Sequence, residues 1–287
     1  MSIPVAVHSH TVPASTRMSA SSKITVKASL NVVRKGRVLL LHGWAQNAAV
    51  MRIKAKSLTK KLNRAGYDCV FLEAPHVLPM QSTIVIEGFP VLVDNGSREN
   101  ARAWFLYSDT DAANATLSQS GEPLTYVGLE ETWTVIENEL MQPDTEPTVD
   151  GVPFCAVLGF SQGAVLVHLL SILTTRLPRD SPFRRINACL LASGFAAQHV
   201  SKDMTSPYHT VLGNVPADQS AFIEIPSLHL IGKNDTSVEP KASAHLAQMY
   251  SQPMFLDHEK GHILPQHSDD CARIVAFLDE ARAETNL

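Results

Sequence analysis

The sequence predicts an α/β fold: a mostly parallel sheet with helices on both faces. Three observations point there. Short apolar runs recur along the chain without polar alternation, as strands buried on both faces require. Helix-length amphipathic segments separate most of those runs, and that alternation of strand and helix is the signature of a parallel sheet covered on both sides. One run, residues 153–158, passes through Gly159-Phe160-Ser161-Gln162-Gly163 into a stretch from Ala164 to Leu173 that is apolar almost all round. A G-x-S-x-G turn between a buried strand and a buried helix presents its serine at a sharp, strained corner, and the flanking glycines keep side chains out of the neighbouring strand and helix.

The elements follow in order. Residues 1–36 are rich in Ser and Thr, hold Arg17, Lys23, Lys27, Arg34 and Lys35, and contain no acidic residue; the first is Asp68. Such a segment reads as a disordered extension or an organelle transit peptide. Residues 24–33 have the composition of a short outer strand. The first firm strand begins at Arg37 and ends in His42-Gly43-Trp44. A single helix is expected next, with Val50, Ile53, Leu58, Leu62 and Ala65 on one face and lysines elsewhere, stopped by Gly66. Cys69-Val70-Phe71-Leu72 is the second strand. Residues 76–127, dense in Pro, Gly, Asn and Ser, read as an irregular segment near the strand ends that walls a pocket. A helix carrying Leu129, Trp133, Ile136 and Leu140 precedes the serine strand. Further strands are expected over 186–195, 226–232 and 253–256, with 196–222 as a second irregular connection and a closing helix over 269–284. One domain spans 37–287.

Bulk numbers exclude several classes. The chain has 287 residues, 45% hydrophobic and 18% charged, with a net charge of −4. A large core is available, and no basic stripe suggests nucleic acid. No apolar run has the length of a membrane span. Cys69, Cys155, Cys189 and Cys271 lack metal or redox spacing, and read as small buried thiols in a reducing, cytoplasmic setting. No metal or cofactor is expected. The sequence does not indicate an oligomeric state.

A serine hydroxyl needs a base, and the base needs an acid to fix its tautomer. In folds with this elbow the chain order is serine, acid, histidine. Asp235 follows a strand end, with Asp257 as a rival. His262 lies in the loop after the last strand, with His258 and His267 as rivals. The oxyanion that forms on attack needs donors: the backbone N–H of Gln162, directly after the serine, and that of Trp44, in the loop after the first strand. His42 breaks the expected order as a base and reads as holding its turn. With Trp104, Phe105 and Tyr107 it is also a candidate for the pocket wall, although an aromatic cluster is more often core.

Seven segments resemble one family. Leu41-His42-Gly43-Trp44-Ala45-Gln46-Asn47, Glu73-Ala74-Pro75-His76, Arg102-Ala103-Trp104, Tyr126-Val127-Gly128-Leu129, Gly159-Phe160-Ser161-Gln162-Gly163-Ala164, Gly232-Lys233-Asn234-Asp235 and 258–265 are similar to the motifs of FSH-type serine hydrolases, within the α/β-hydrolase superfamily. The likeness covers roughly residues 36–280. It implies an α/β-hydrolase fold, hydrolysis of carboxylic esters or thioesters, and Ser161, Asp235 and His262 as nucleophile, acid and base. Some members of the family release polyketide chains from a carrier protein, so a carrier-bound acyl thioester is one implied partner. The leader before the first strand and Lys233 depart from the family pattern. A depalmitoylase of the acyl-protein thioesterase kind also carries G-F-S-Q-G, though the R-x-W and YVGL segments favour the first family. A silent binding protein on the same fold is the reading from outside enzymes.

Overall fold

A computed structural model describes residues 33–78, 81–86, 89–94, 100–107, 126–142, 153–197, 208, 211–212 and 223–285. Val32–Leu287 cluster as one unit. The leader and most of the expected outer strand lie outside the described residues, as does most of 196–222. The main chain runs β1 (Gly36–Leu41), α1 (Ala48–Lys54), α2 (Lys56–Ala65) and β2 (Tyr67–Leu72). Six short strands follow: β3 (His76–Val77), β4 (Gln81–Ile86), β5 (Phe89–Asp94), β6 (Arg102–Ala103), β7 (Leu106–Tyr107) and β8 (Tyr126–Val127). Then come α3 (Leu129–Met141), β9 (Phe154–Phe160), α4 (Gln162–Arg176), β10 (Ala188–Ala192), β11 (Ser227–Gly232), α5 (Pro240–Ala247), β12 (Pro253–His258) and α6 (Ser268–Thr285).

Six strands form one sheet in the order β12-β11-β10-β9-β1-β2, and all five pairings are parallel. The α/β expectation therefore holds. Side chains alternate between two cores. Leu39, Leu41, Val157 and Leu191 face α3 and α4, whereas Val38, Leu40, Leu158, Leu190 and Leu230 face α1, α2 and α6. Strands buried on both faces are why these runs lack polar alternation. Each fully buried Leu, Val or Ile contributes about 1.5–3 kcal/mol of transfer free energy.

Register is what matters for function. Leu41 pairs with Leu72 and Gly159, Ala192 with Phe160 and Leu230, and Gly232 with His258. The strands thus end level, and the residues that follow them gather along one edge. The chain leaves β1 toward β2 on one side and builds β9 to β12 outward on the other. The crevice at such a reversal is where open α/β sheets bind ligands.

Two expectations change. The first helix is broken at Ala55, whose φ of −89° and ψ of 7° make it the C-cap of α1 and the N-cap of α2. The break rotates the apolar stripe, so Met51, Ala55, Leu58 and Leu62 are buried while Ile53 is 75% exposed. Residues 76–127 are not wholly irregular, since β3 pairs with β6, β4 with β5 and β7 with β8, all antiparallel. Four of these strands, β3, β6, β7 and β8, have only two residues and leave no periodicity to read. Gly66 does terminate α2, in a left-handed cap at φ 97°.

Among the described residues His42, His168, His229 and His258 are buried, and burial lowers the pKa of all four. Burial pushes His42 down to about 4, against a rise from its contact with the Gly43 carbonyl; burial also pushes His168 to about 4, and burial aided by the nearby His168 pushes His229 to about 3. Between roughly pH 6.5 and these values the unfolded chain takes up protons that the folded rings refuse, so acidification favours unfolding. The thermal midpoint is expected to fall steeply from pH 6.5 to 4, which calorimetry across that range checks.

Candidate active site

The serine turn is set by crowding. Ser161 has φ 54° and ψ −119°, a left-handed backbone in a non-glycine residue. Its N–H donates to Ala192 O at 2.9 Å, and its carbonyl accepts from Ala164 N–H at 2.8 Å. A Cβ on Gly159 would come within 2.1 Å of Gly163 O, and a Cβ on Gly163 within 2.3 Å of Leu41 O. Those contacts are backbone against backbone, so nothing soft can give way. The glycines are therefore what let helix α4 start directly above β1 and β9. Ser161 is half-buried, and its Oγ makes no hydrogen bond to another described residue.

Asp235 and His262 are brought together. His262 Nδ1 donates to Asp235 Oδ2 at 2.7 Å, and the Asp235 side chain is 1% exposed against 24% for His262. Asp235 Oδ1 accepts from the N–H groups of Ser237 and Val238, both at 2.9 Å. The buried hydroxyl of Ser193 lies beside the same carboxylate without a well-aligned hydrogen bond. Burial alone would raise the Asp235 carboxyl; the Val238 N–H, His262 and Ser193 outweigh it and hold the group below the usual carboxylate range. With Nδ1–H given to the acid, His262 Nε2 keeps its lone pair. The His262 ring stacks 4.8 Å from that of Phe160, the residue immediately before the serine.

Two loops cooperate to carry the acid and the histidine. Lys233 N–H donates to His258 O, Asn234 N–H to Lys260 O and the Asn234 carboxamide to Glu259 O. A Cβ on Gly232 would strike Gly261 O at 2.5 Å, so the loops touch along their backbones. Lys233, which departs from the family pattern, pairs with Glu259 on the surface at 2.6 Å and leaves the turn undisturbed. Of the rivals, Asp257 is exposed within β12, His258 is buried there with Nδ1 accepting from Lys260 N–H, and His267 is exposed just ahead of α6.

The loop after β1 lies against the serine. A Cβ on Gly43 would sit 3.2 Å from Ser161 Cβ. Gly43 N–H donates to Gln46 Oε1, Gln46 N–H to Gly43 O, and Asn47 Oδ1 caps α1 at Val50 N–H. Ala45 is left-handed at φ 52°. His42 is wholly buried; its Nδ1 donates to Gly43 O and its Nε2 accepts from Ala74 N–H, which fixes one neutral tautomer. Arg102 pairs with Glu73 and donates to Ala74 O, while Glu73 Oε2 accepts from Ala48 N–H. The Glu73 and Arg102 segments are thus struts for this loop.

Three of the residues offered for the pocket wall or for core are buried. Trp104 and Phe105 are fully buried in the main core, and His42 is buried beneath its turn. Their rings pack inward because the polar atoms of this segment are engaged with the elbow. The Tyr107 side chain lies outside the described residues. Sequence reasoning passed over Ser193, which is buried and left-handed at φ 48°, and the Gln162 side chain, whose carboxamide binds Trp104 N–H and Phe105 O. A polar residue inside an apolar helix start was the available signal for the latter.

A level row of parallel strand ends, with a strained serine at the chain reversal, places the protein among the α/β-hydrolases. The family is more specific: residues 31–274 match the one described as Serine hydrolase (FSH1), and the chain belongs to it and is a serine hydrolase. Among curated relatives, zebrafish Esterase OVCA2 is 30% identical over 245 residues, covering 84% of this chain and 96% of that protein. Rhodanese-like domain-containing protein 6 of Arabidopsis thaliana is 29% identical over 86% of this chain, which spans only 39% of that relative's length. The solved acyl-protein thioesterase 2 of Zea mays is similar over 86% of this chain and 95% of its own, at 18% identity and a TM-score of 0.46. Among the described residues, no helix is long and apolar enough to cross a membrane.

The crowding at the elbow has a direct consequence. Gly163→Ala is expected to cost about 2–4 kcal/mol of stability, because rigid backbone must move to admit the methyl group. Chemical denaturation of the variant measures it, and wild-type stability would contradict the contact with Leu41 O.

Proposed function

We propose that the protein hydrolyses carboxylic esters or thioesters through an acyl-enzyme on Ser161. The observation that carries this reading is the 2.7 Å bond from His262 Nδ1 to the buried Asp235, with the same imidazole against the residue preceding a strained serine. His262 Nε2 takes the Ser161 proton as Oγ attacks the carbonyl, and Asp235 stabilises the imidazolium. The N–H groups of Trp44 and Gln162 receive the oxyanion. His262 then protonates the leaving alcohol or thiol, and water repeats the cycle to free the acid. Ser161 Oγ makes no hydrogen bond to another described residue, and catalytic hydrogen bonds of this kind often form only around bound substrate. The four thiols are free, which suits a reducing compartment.

The names of relatives such as Esterase OVCA2 support the ester class. A carrier-bound acyl thioester has the same reacting carbonyl, and a panel of short-chain esters, long-chain acyl thioesters and a palmitoylated peptide separates these substrates.

Ser161→Ala is expected to abolish labelling by a fluorophosphonate probe; a variant that still labels has its nucleophile elsewhere. Asp235→Asn is expected to lower kcat by about 10⁴-fold, since the wrong histidine tautomer is then favoured. Retention of near wild-type kcat would remove Asp235 from the mechanism. Activity is expected to fall on acidification below neutral pH, because a protonated imidazole cannot take the serine proton. The depressed Asp235 carboxyl stays ionised there, so it adds no second limb. A flat profile between pH 5 and 8 would exclude a histidine base.

A further inference from the structure

Every polar group of Trp104 is committed to the elbow or its supports. Its N–H donates to Gln162 Oε1 at 2.9 Å, and Gln162 Nε2 returns a bond to Phe105 O at 2.8 Å. Its indole Nε1–H donates to His42 O at 2.7 Å. Its carbonyl accepts from the Thr132 hydroxyl. Two residues before it, the start of β6 is anchored as well, with Arg102 N–H donating to Gln46 O at 2.8 Å. All of these groups except Arg102 and Gln46 O belong to fully or nearly fully buried residues, where hydrogen bonds are strong and an unmade one is costly.

From this geometry we infer that Trp104 is a positioning residue for the oxyanion hole, holding both of its halves in one frame. The inference rests on the acyl-enzyme reading above. One half is Gln162, whose main-chain N–H opens α4 and whose carboxamide is clamped onto the Trp104–Phe105 backbone. The other half is the turn after β1. The indole fixes the His42 carbonyl and with it the plane of the peptide running into Gly43. The next carbonyl, Gly43 O, is held by Gln46 N–H and His42 Nδ1–H. A trans peptide directs its N–H opposite its carbonyl, so the Trp44 N–H is aimed away from the interior of the turn. A phenylalanine would fill most of the same core volume. What only an indole supplies at this site is the donor to His42 O. A displacement of an ångström in such a donor is enough to cost about 10²-fold in rate.

The test replaces Trp104 by Phe and counts active sites with a fluorophosphonate, so that kcat refers to folded enzyme. The expected result is a fall in kcat of about 10- to 100-fold with KM little changed. The affinity of a trifluoromethyl ketone, which forms the tetrahedral oxyanion on the serine, is expected to weaken by a similar factor. Wild-type kcat per titrated site, or unchanged affinity for the ketone, would overturn the inference. Should Trp104→Phe fold poorly, 3-benzothienylalanine installed at position 104 keeps the bicyclic shape and removes only the N–H. It is expected to reproduce the loss, and full activity with it would show that ring volume alone mattered. Ser161→Ala runs beside these variants. If it stays active, the acyl-enzyme reading fails; if it is inactive while the position-104 variants are normal, only the role of Trp104 fails.

Discussion

The approach of helix α4 to strand β1 is the constraint on which the site depends. Gly163 rests so close to the carbonyls of Leu41 and His42 that no side chain fits between them. That contact sets the height of the helix over the sheet. The chain then has only one residue in which to turn from β9 into α4, and Ser161 accepts a left-handed backbone to make it. Strain of this kind persists only where the surroundings over-determine it. Here they do, through in-register pairing of β9 with both β1 and β10 and through the bond from Ser161 N–H to Ala192 O.

From the elbow outward, the site is assembled from strand ends rather than from any one element. β11 delivers Asp235 and β12 delivers the loop of His262, and the two loops bond to each other. β1 delivers the turn of His42, Gly43 and Trp44. That turn does not stand alone: Glu73 from the second-strand exit, Arg102 from β6 and Trp104 just after it fasten it. The motifs that carry the family likeness are therefore mostly scaffolding. They hold peptide planes at the edge of the sheet.

The buried charges follow the same logic. Asp235 is kept ionised by donors that belong to its own loop and by His262. His42 is kept neutral by burial and by accepting a main-chain N–H, which suits a spacer rather than a base. Two histidines of the same intrinsic chemistry thus sit in different surroundings, one against a carboxylate and the other against main-chain groups.

Much of this was legible in the chain. The elbow is local: a strand, two glycines around a serine and a helix lie within about twenty residues, and their steric demands are met within that stretch. The apolar runs and the Gly66 stop are equally short-range. What only the tertiary structure decided were the choices among equivalents. Asp235 rather than Asp257 meets His262 because β11 and β12 end level and their exit loops interlock. Ile53 is exposed because a single residue, Ala55, rotates the second half of the helix. Trp104 and Phe105 are inward because a carboxamide nearly sixty residues away fixes their backbone. Hydropathy and turn chemistry act over a few residues and are written in the sequence; the partner of a buried polar atom is set by register across the sheet, which no local stretch contains.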